Sequence, residues 1–310
     1  SASIAPDPAA PASTQPESAT TSTGETSAGQ WSMSSIAPPY AGPVPAGTVG
    51  PTDERGDEMD VRFGVHTGLQ NTSIAELRGL WRRIEELGFD WISIWDHFYA
   101  ADATGDPHCL EAVAAHAALA ATTERVTCGS LVYSAGYRHP AVLANAMATL
   151  DQIADGRIVL GLGGGWMQGE YDAYGIPYGT AGDRLRRLEE SIRCVRGLLT
   201  EERTSFAGEF FTLTDAMCEP KPVQAHLPIW VGGGGEKVTL RITARYADGW
   251  NVPFIAPDAW AHKASVLDAH CADAGRDPAE ITKSVNVGID RKSTRLNSSH
   301  VSESRMPSSA

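Results

Sequence analysis

The stretch DGRIVLGLGGGW at residues 155–166 decides the fold class of this chain. A short apolar run ends at Leu160 and leads directly into Gly161, Gly163, Gly164 and Gly165. Parallel α/β proteins build ligand sites where apolar strands end in glycine, because a backbone without Cβ atoms lets a flat ring or a phosphate approach closely. A tight turn is the alternative interpretation of the same glycines. Unusual residues at the ends of other predicted strands favour a site.

Short apolar strands alternate with amphipathic helices on both sides of this stretch. The predicted strands are residues 61–65, 91–95, 126–132, 158–162, 229–231, 250–252 and 285–289. Most are continuous apolar runs, which is typical of strands covered on both faces. The first helix is bounded by a capping box of Ser73 and Glu76 and by Gly88. This alternation predicts either an open doubly wound sheet or a (β/α)8 barrel.

The end of the first strand decides between these two architectures. A dinucleotide-binding open sheet needs G-x-G-x-x-G at that point, whereas the chain continues Val65-His66-Thr67-Gly68. Seven strands are recognisable and a TIM barrel has eight. We therefore predict an α/β TIM (β/α)8 barrel over residues 59–289, truncated after strand 7, with the natural gene continuing further.

The two ends of the chain differ in composition from the part between them. Residues 1–58 are rich in Pro, Ala, Ser and Thr, which predicts a disordered segment or an untranslated leader before Met59. From Asp290 the sequence is rich in Ser and resembles the translation of a sequencing adapter, the alternative being a disordered tail. Neither end is expected to belong to the barrel.

Composition and charge exclude several classes of function. The formal net charge of −13 argues against binding nucleic acid, whose phosphates require a basic surface. No run approaches the roughly 18 apolar residues of a membrane span, and no signal peptide is visible. The five cysteines are scattered without a CxxC pair, which favours reduced thiols and a cytoplasmic location. The histidines lack metal-ligand spacing, so we expect no metal.

Two predicted strands end in residues suited to chemistry. The second ends in Trp95-Asp96-His97-Phe98, which places a carboxylate beside an imidazole able to exchange protons near neutral pH. The alternative is that His97 only binds a neighbouring loop. The fifth strand runs into four glycines before Lys237, where a helix is predicted to begin. Their N–H groups suit a phosphate, unless the glycines serve only close packing.

Several motifs together resemble the luciferase-like monooxygenase superfamily, and more narrowly its oxidoreductases that use the deazaflavin coenzyme F420. The resemblance covers nearly all of residues 59–289. The motifs are residues 95–98, 137–140, 150–151, 155–166, 220–222, 228–235 and 247–251.

The resemblance implies roles for three catalytic residues. Asp96 and His97 are expected to lie beside the deazaflavin ring, with His97 as the proton donor or acceptor that accompanies hydride transfer. Members that oxidise sugar phosphates have a catalytic glutamate where this chain has Trp166, so a flatter and more apolar substrate is expected here. Glu170 is the next carboxylate along the chain, and it either faces the pocket as a catalytic group or caps the loop.

The resemblance also implies which residues bind the cofactor. Ser130 and Leu131 match the place where the family has a bulge with a non-proline cis peptide under the ring. The residues expected at the edge of the ring are Tyr133, Gly164, Gly165 and Gly169. Those expected at the ribityl-phosphate end are Gly233, Gly234, Gly235 and Glu236. The segment 203–227 resembles an insertion over the pocket.

The function implied is an F420-dependent oxidoreductase that acts on a small-molecule substrate. One alternative is a luciferase-like monooxygenase that uses FMN, because both cofactors share a tricyclic ring and a phosphate. A second alternative is a non-catalytic flavin- or deazaflavin-binding paralogue. The resemblance also makes a homodimer plausible.

Overall fold

The computed structural model describes residues 61–100 and 107–288. The chain divides into the units Ser1–Met59 and Asp60–Ala310, and all described residues belong to the second. The predictions made for residues 1–58 and 290–310 lie outside the described residues.

The described chain alternates strands and helices. The strands are β1 (Gly64–His66), β2 (Trp91–Ile94), β3 (Thr127–Ser130), β4 (Tyr133–Ser134), β5 (Ile158–Gly163), β6 (Thr204–Ala207), β7 (Thr212–Ala216), β8 (Ile229–Gly232), β9 (Gly249–Pro253) and β10 (Thr282–Asn286). The helices are α1 (Ile74–Glu86), α2 (Ala112–Thr122), α3 (Pro140–Ala154), α4 (Gln168–Tyr174), α5 (Ala181–Thr200), α6 (Thr239–Tyr246) and α7 (Pro257–Asp273), with a 3₁₀ turn at Pro278–Glu280.

Seven strands form one parallel sheet in the order β1-β2-β3-β5-β8-β9-β10, and β4 pairs with β5 beyond the end of β3. The rings of Trp91 in β2 and Trp230 in β8 stack with 4.9 Å between centroids. In a flat sheet β2 and β8 would lie about 14 Å apart, at roughly 4.8 Å per strand interval. The sheet is therefore curled into a nearly closed barrel, which confirms the predicted fold class.

Glycines make room for the two tryptophans inside the barrel. A Cβ atom at Gly129 would overlap the Trp91 ring, and one at Gly249 would overlap the Trp230 ring. Elsewhere the strands bury β-branched and leucine side chains against the surrounding helices, as in Ile158, Leu160 and Leu162 of β5. Indoles fill the interior at this level because the neighbouring strands carry no side chain there.

The first helix begins and ends where its sequence predicts. Ser73 Oγ accepts a hydrogen bond from the Glu76 N–H, and the Glu76 carboxylate accepts one from the Ser73 N–H. Gly88 has φ +87°, a left-handed conformation that suits glycine after a helix end. Leu77 and Trp81 are buried on the inner face of α1. The capping box and the apolar period thus set both the bounds and the orientation of α1.

Some strand bounds differ from the prediction. The first strand is shifted towards the C-terminus and the last towards the N-terminus relative to residues 61–65 and 285–289. Residues 126–132 are not one strand. Strand β3 ends at Ser130 and β4 begins at Tyr133, and the peptide bond between Leu131 and Val132, which lies between these two strands, is cis. It lies one bond after the Ser130–Leu131 pair to which the family resemblance pointed.

Two glutamate side chains on helices accept hydrogen bonds from the backbone N–H groups of distant loops. Glu85 of α1 accepts hydrogen bonds from the N–H groups of residues 124–126. Glu190 of α5 accepts them from the N–H groups of residues 209–211. Each anionic acceptor satisfies several donors of a loop at once, so both loops are fixed without regular pairing.

The segment 203–227 contains the antiparallel hairpin β6–β7, which ends at Ala216. Phe206 lies under the guanidinium of Arg193 on α5, and the Phe211 ring meets the ring of His139 at the start of α3. The hairpin therefore packs on the outer helices, whereas the resemblance implied an insertion over the pocket. Among residues 61–100 and 107–288, no helix is both long and apolar enough to span a bilayer.

Candidate active site

His97 lies three residues after the end of β2, at the carboxyl-end rim of the barrel. Its Nδ1 atom is 2.9 Å from the carboxylate Oε2 of Glu170. The edges of its ring meet Trp95 and Trp166, with centroids 6.3 and 5.6 Å away. The side chain is 13% exposed, and its Nε2 atom makes no hydrogen bond with the described residues. One ring nitrogen is thus held by the protein and the other is available to a ligand.

Glu170 lies in α4 with its side chain only 1% exposed. Its Oε1 atom accepts hydrogen bonds from the N–H groups of Phe98 (2.6 Å) and Tyr99 (2.9 Å). Its Oε2 atom accepts from the Tyr137 hydroxyl as well as facing His97. Burial raises the pKa of Glu170, but the hydrogen bonds from His97, Tyr137 and the backbone outweigh it and hold the pKa below its usual value. Glu170 is therefore an ionised carboxylate that lies behind His97. Of the two roles considered for it, capping of the loop is the one that matches its contacts with the Phe98 and Tyr99 N–H groups.

Asp96 is buried next to His97 and is bound on one side only. Its Oδ2 atom accepts hydrogen bonds from the Arg138 guanidinium at 2.7 Å and from the Ser134 N–H at 3.0 Å. Its Oδ1 atom is buried and has no donor among the described residues. Burial raises the pKa of Asp96, and the charge of Arg138 offsets this only in part.

A lysine from another helix binds the glycine-rich loop after β8, and sequence reasoning missed it. Lys263 of α7 donates hydrogen bonds to the Gly234 carbonyl at 2.7 Å and to the Glu236 carboxylate at 2.9 Å. The hydrogen bond from Lys263 lowers the pKa of Glu236. Helix α6 begins at Thr239, after the predicted Lys237, and has no side-chain cap at its N-terminus. A cation and an uncapped helix start therefore lie at the same loop.

Lys263 follows Gly234 by 29 positions, so no local motif connects them. The available signal was its place in the helix after the next strand, because consecutive helices of such a barrel are neighbours.

Two of the predicted cofactor residues have buried side chains, and a third is exposed. Tyr133 is 0% exposed, and its hydroxyl lies 3.0 Å from Nδ1 of buried His116. The Ser130 hydroxyl joins β3 to β5 by accepting from the Gly161 N–H at 3.0 Å. Gly169 lies in α4, and a Cβ atom there would meet nothing within 4 Å. The side chains of Tyr133 and Ser130 therefore serve the core.

The other predicted residues lie at the rim. Gly164 and Gly165 follow β5, and Gly165 has φ +79° with no room for a Cβ atom beside Tyr171. Leu131 precedes the cis bond, and the Val132 side chain fills the space left by glycines at positions 161, 163 and 232. Part of the glycine pattern is thus explained by Val132 packing.

The sequence that forms this barrel matches a known protein family. The profile described as luciferase-like monooxygenase matches residues 59–293. The chain belongs to this family. It is 31% identical over 234 residues to an F420-dependent glucose-6-phosphate dehydrogenase of Microbacterium testaceum, covering 74% of this chain and 68% of that protein. The enzyme of the same name from Amycolatopsis mediterranei is 34% identical over 169 residues, covering 54% and 50%.

Solved structures share the fold. An F420-dependent secondary alcohol dehydrogenase in complex with an F420-acetone adduct superposes with a TM-score of 0.67 at 23% identity, covering 73% of this chain and 68% of that one. The chain spans between half and about two thirds of the length of these relatives.

Proposed function

We propose that this chain is an oxidoreductase that uses coenzyme F420 and transfers a hydride between the deazaflavin and a small organic substrate. Family membership and the names of the relatives support F420 as the cofactor. The observation that carries the proposal is His97. Its imidazole stands at the carboxyl-end rim, with Nδ1 held by Glu170 and with no hydrogen bond from Nε2 to the described residues. A protein that only bound the cofactor would not need an imidazole oriented for proton transfer.

The residues at the rim are chemically suited to the coenzyme. Within the described part of the chain the buried Asp96 Oδ1 atom has no hydrogen-bond donor, and an N–H or O–H of a bound ring would supply one. Lys263 and the uncapped start of α6 lie at the glycine loop, where they would hold a phosphate. Asp96, Gly164 and Gly165 would therefore hold the ring, and Gly233, Gly234 and Lys263 the phosphate end.

His97 supplies the proton chemistry. When bound, F420 supplies the acceptor or donor of a hydride, so that oxidation of an alcohol leaves the hydroxyl proton for a protein group to take. His97 takes that proton at Nε2, and in the reverse direction gives a proton to the carbonyl oxygen. Positioned acid–base groups of this kind contribute about 10²- to 10⁴-fold to rate.

Trp166 supports an apolar substrate. It is 46% exposed, and its ring centroid lies 5.6 Å from that of His97. A half-exposed indole next to the proton-transfer group favours a flat or apolar substrate over a sugar phosphate. The five cysteines are free thiols, which supports a cytoplasmic enzyme. The homodimer stays a prediction.

Titration of the protein with oxidised F420 and with FMN, followed by fluorescence, tests the cofactor. We expect F420 to bind at least about tenfold more tightly, a difference of about 1.4 kcal/mol. Tighter binding of FMN would instead support a flavin monooxygenase.

Turnover of the F420 complex tests the rest of the proposal. We expect oxidation of cyclohexanol to exceed that of glucose 6-phosphate, and His97→Ala to keep F420 affinity while losing turnover. Preference for glucose 6-phosphate would contradict the substrate class. Binding of F420 without turnover of any alcohol or ketone would indicate a non-catalytic paralogue.

A further inference from the structure

Glu170 has four hydrogen-bond partners in the described structure, and the pKa of its carboxyl is held below its usual value. Two backbone N–H groups point at Oε1, and the Tyr137 hydroxyl and His97 Nδ1 point at Oε2. The backbone groups can only donate. An ionised carboxylate has acceptor sites for all four partners, and it has no proton to give.

We infer that Glu170 is a positioning residue that fixes neutral His97 as the Nδ1–H tautomer and thereby makes Nε2 the proton-exchanging atom. The tautomer follows from these contacts and from the lowered pKa of Glu170, while its use in catalysis rests on the proposed function. Because Oε2 is an anionic acceptor, the Nδ1 atom that faces it at 2.9 Å must carry the proton. The lone pair of the neutral ring is then on Nε2, which the described residues leave unbonded.

The surroundings of Glu170 keep the carboxylate from turning away. Phe98 and Tyr99 follow His97 directly, so the same carboxylate binds the backbone of the loop and the ring that the loop carries. The position of the loop and the orientation of the imidazole are therefore set together. A carboxylate that carries four contacts and is 1% exposed is not available to a substrate.

Glu170→Gln should reverse the tautomer. The two backbone donors can be accepted only by the amide oxygen of the new side chain, so its NH₂ group must face His97. That NH₂ group can only donate, which requires an unprotonated Nδ1 and moves the ring proton to Nε2. The amide has nearly the same shape as the carboxylate, so the change is in hydrogen-bond direction.

The direct test is the ¹⁵N spectrum of histidine-labelled protein without cofactor, at a pH where the ring is neutral. His97 is assigned by the signal lost in His97→Gln. We expect a protonated Nδ1 and an unprotonated Nε2 in the natural sequence, and the opposite pattern in Glu170→Gln. Glu190→Gln is the matched control, because Glu190 likewise accepts hydrogen bonds from loop N–H groups, three rather than two, and has none with a histidine among the described residues; it should keep the natural pattern.

Kinetics with F420 complete the test. We expect Glu170→Gln to lower kcat by about 10²- to 10⁴-fold while KM changes by less than about threefold, and Glu190→Gln to leave both unchanged. An Nε2–H tautomer in the natural protein would overturn the inference without any variant. An unchanged tautomer or an unchanged kcat in Glu170→Gln would overturn it as well. Failure of F420 to bind the natural protein would count against the proposed function only, since the spectrum needs no cofactor.

Discussion

Arg138 forms a buried ion pair with Asp96, with 2.7 Å between Nη1 and Oδ2. The other end of the guanidinium binds Glu111 nearer the surface. Arg138 is therefore the charge that compensates a carboxylate lying next to His97. Substituting Arg138→Met should lower the free energy of unfolding by about 3–5 kcal/mol at neutral pH, because a buried carboxylate is left unpaired. Arg203→Met, which breaks the exposed pair with Asp215, should cost at most about 1 kcal/mol.

The loss caused by Arg138→Met should depend on pH. Burial already raises the pKa of Asp96, and removing Arg138 raises it further. A raised pKa in the folded state means that stability is kept below the ordinary aspartate pKa and lost as the pH rises through the raised value. Urea unfolding at weakly acidic and at neutral pH checks this. A loss that is equal at both pH values would contradict a pKa of Asp96 that rises when Arg138 is removed.

Two histidines with lowered pKa values, the buried His116 and the partly buried His66, should make the protein sensitive to acid. Burial lowers the pKa of His66 and of His116 to about 4. The unfolded chain takes up these protons near pH 6.5, so stability present above that pH is lost as the pH falls towards 4, by about 3 kcal/mol for each residue. Substituting His116→Gln removes one proton uptake, so its free-energy deficit relative to the natural sequence should shrink between pH 7 and pH 4. A deficit that stays constant would contradict a neutral buried His116.

Gly165 should tolerate no side chain. Its φ of +79° disfavours other residues, and a Cβ atom would overlap Tyr171. We expect Gly165→Ala to lower the free energy of unfolding by about 1–3 kcal/mol. Gly79→Ala is the control, because Gly79 lies in α1 with nothing within 4 Å of a new Cβ atom. Helix propensity should make that variant about 0.5–1 kcal/mol more stable. Equal thermal shifts in the two variants would contradict this.

Lys263 should contribute to cofactor affinity through the phosphate. Lys263→Met removes the ammonium group that lies 2.7 Å from the Gly234 carbonyl, and we expect F420 to bind about tenfold more weakly, with a smaller dependence on salt. The control is Lys283→Met. Lys283 lies in β10 and pairs with Asp268, which is on the same helix as Lys263. Equal affinities of the two variants, measured by fluorescence titration, would refute a phosphate contact by Lys263.

Local signals predicted much of the fold correctly. Ser73, Glu76 and Gly88 bound the first helix because caps depend on residues three or four positions apart. The ends of β2, β5 and β8 lie at the rim as expected, since parallel strands present their carboxyl ends on one side. These are interactions within one element or rules of topology, and a single sequence records both.

Contacts between distant residues could not be predicted in this way. The sequence offered Glu170 as a catalytic group or as a loop cap, and its partners Phe98 and Tyr99 are 72 and 71 positions away. Tyr133 was expected at the edge of the ring, and the structure places its hydroxyl 3.0 Å from Nδ1 of His116, which lies 17 positions away in the chain. Lys263 has no motif at all. Such placements depend on how elements pack.

The anchoring of loops by Glu85, Glu170 and Glu190 has a consequence for how this barrel can change. Each carboxylate accepts hydrogen bonds from main-chain N–H groups, and every amino acid except proline has this group. As far as these hydrogen bonds to the carboxylates are concerned, the side chains at positions 98, 99, 124 and 210 are free to vary, and proline alone is barred. A lineage can thus exchange the surface that its loops display while the loops themselves stay where they are.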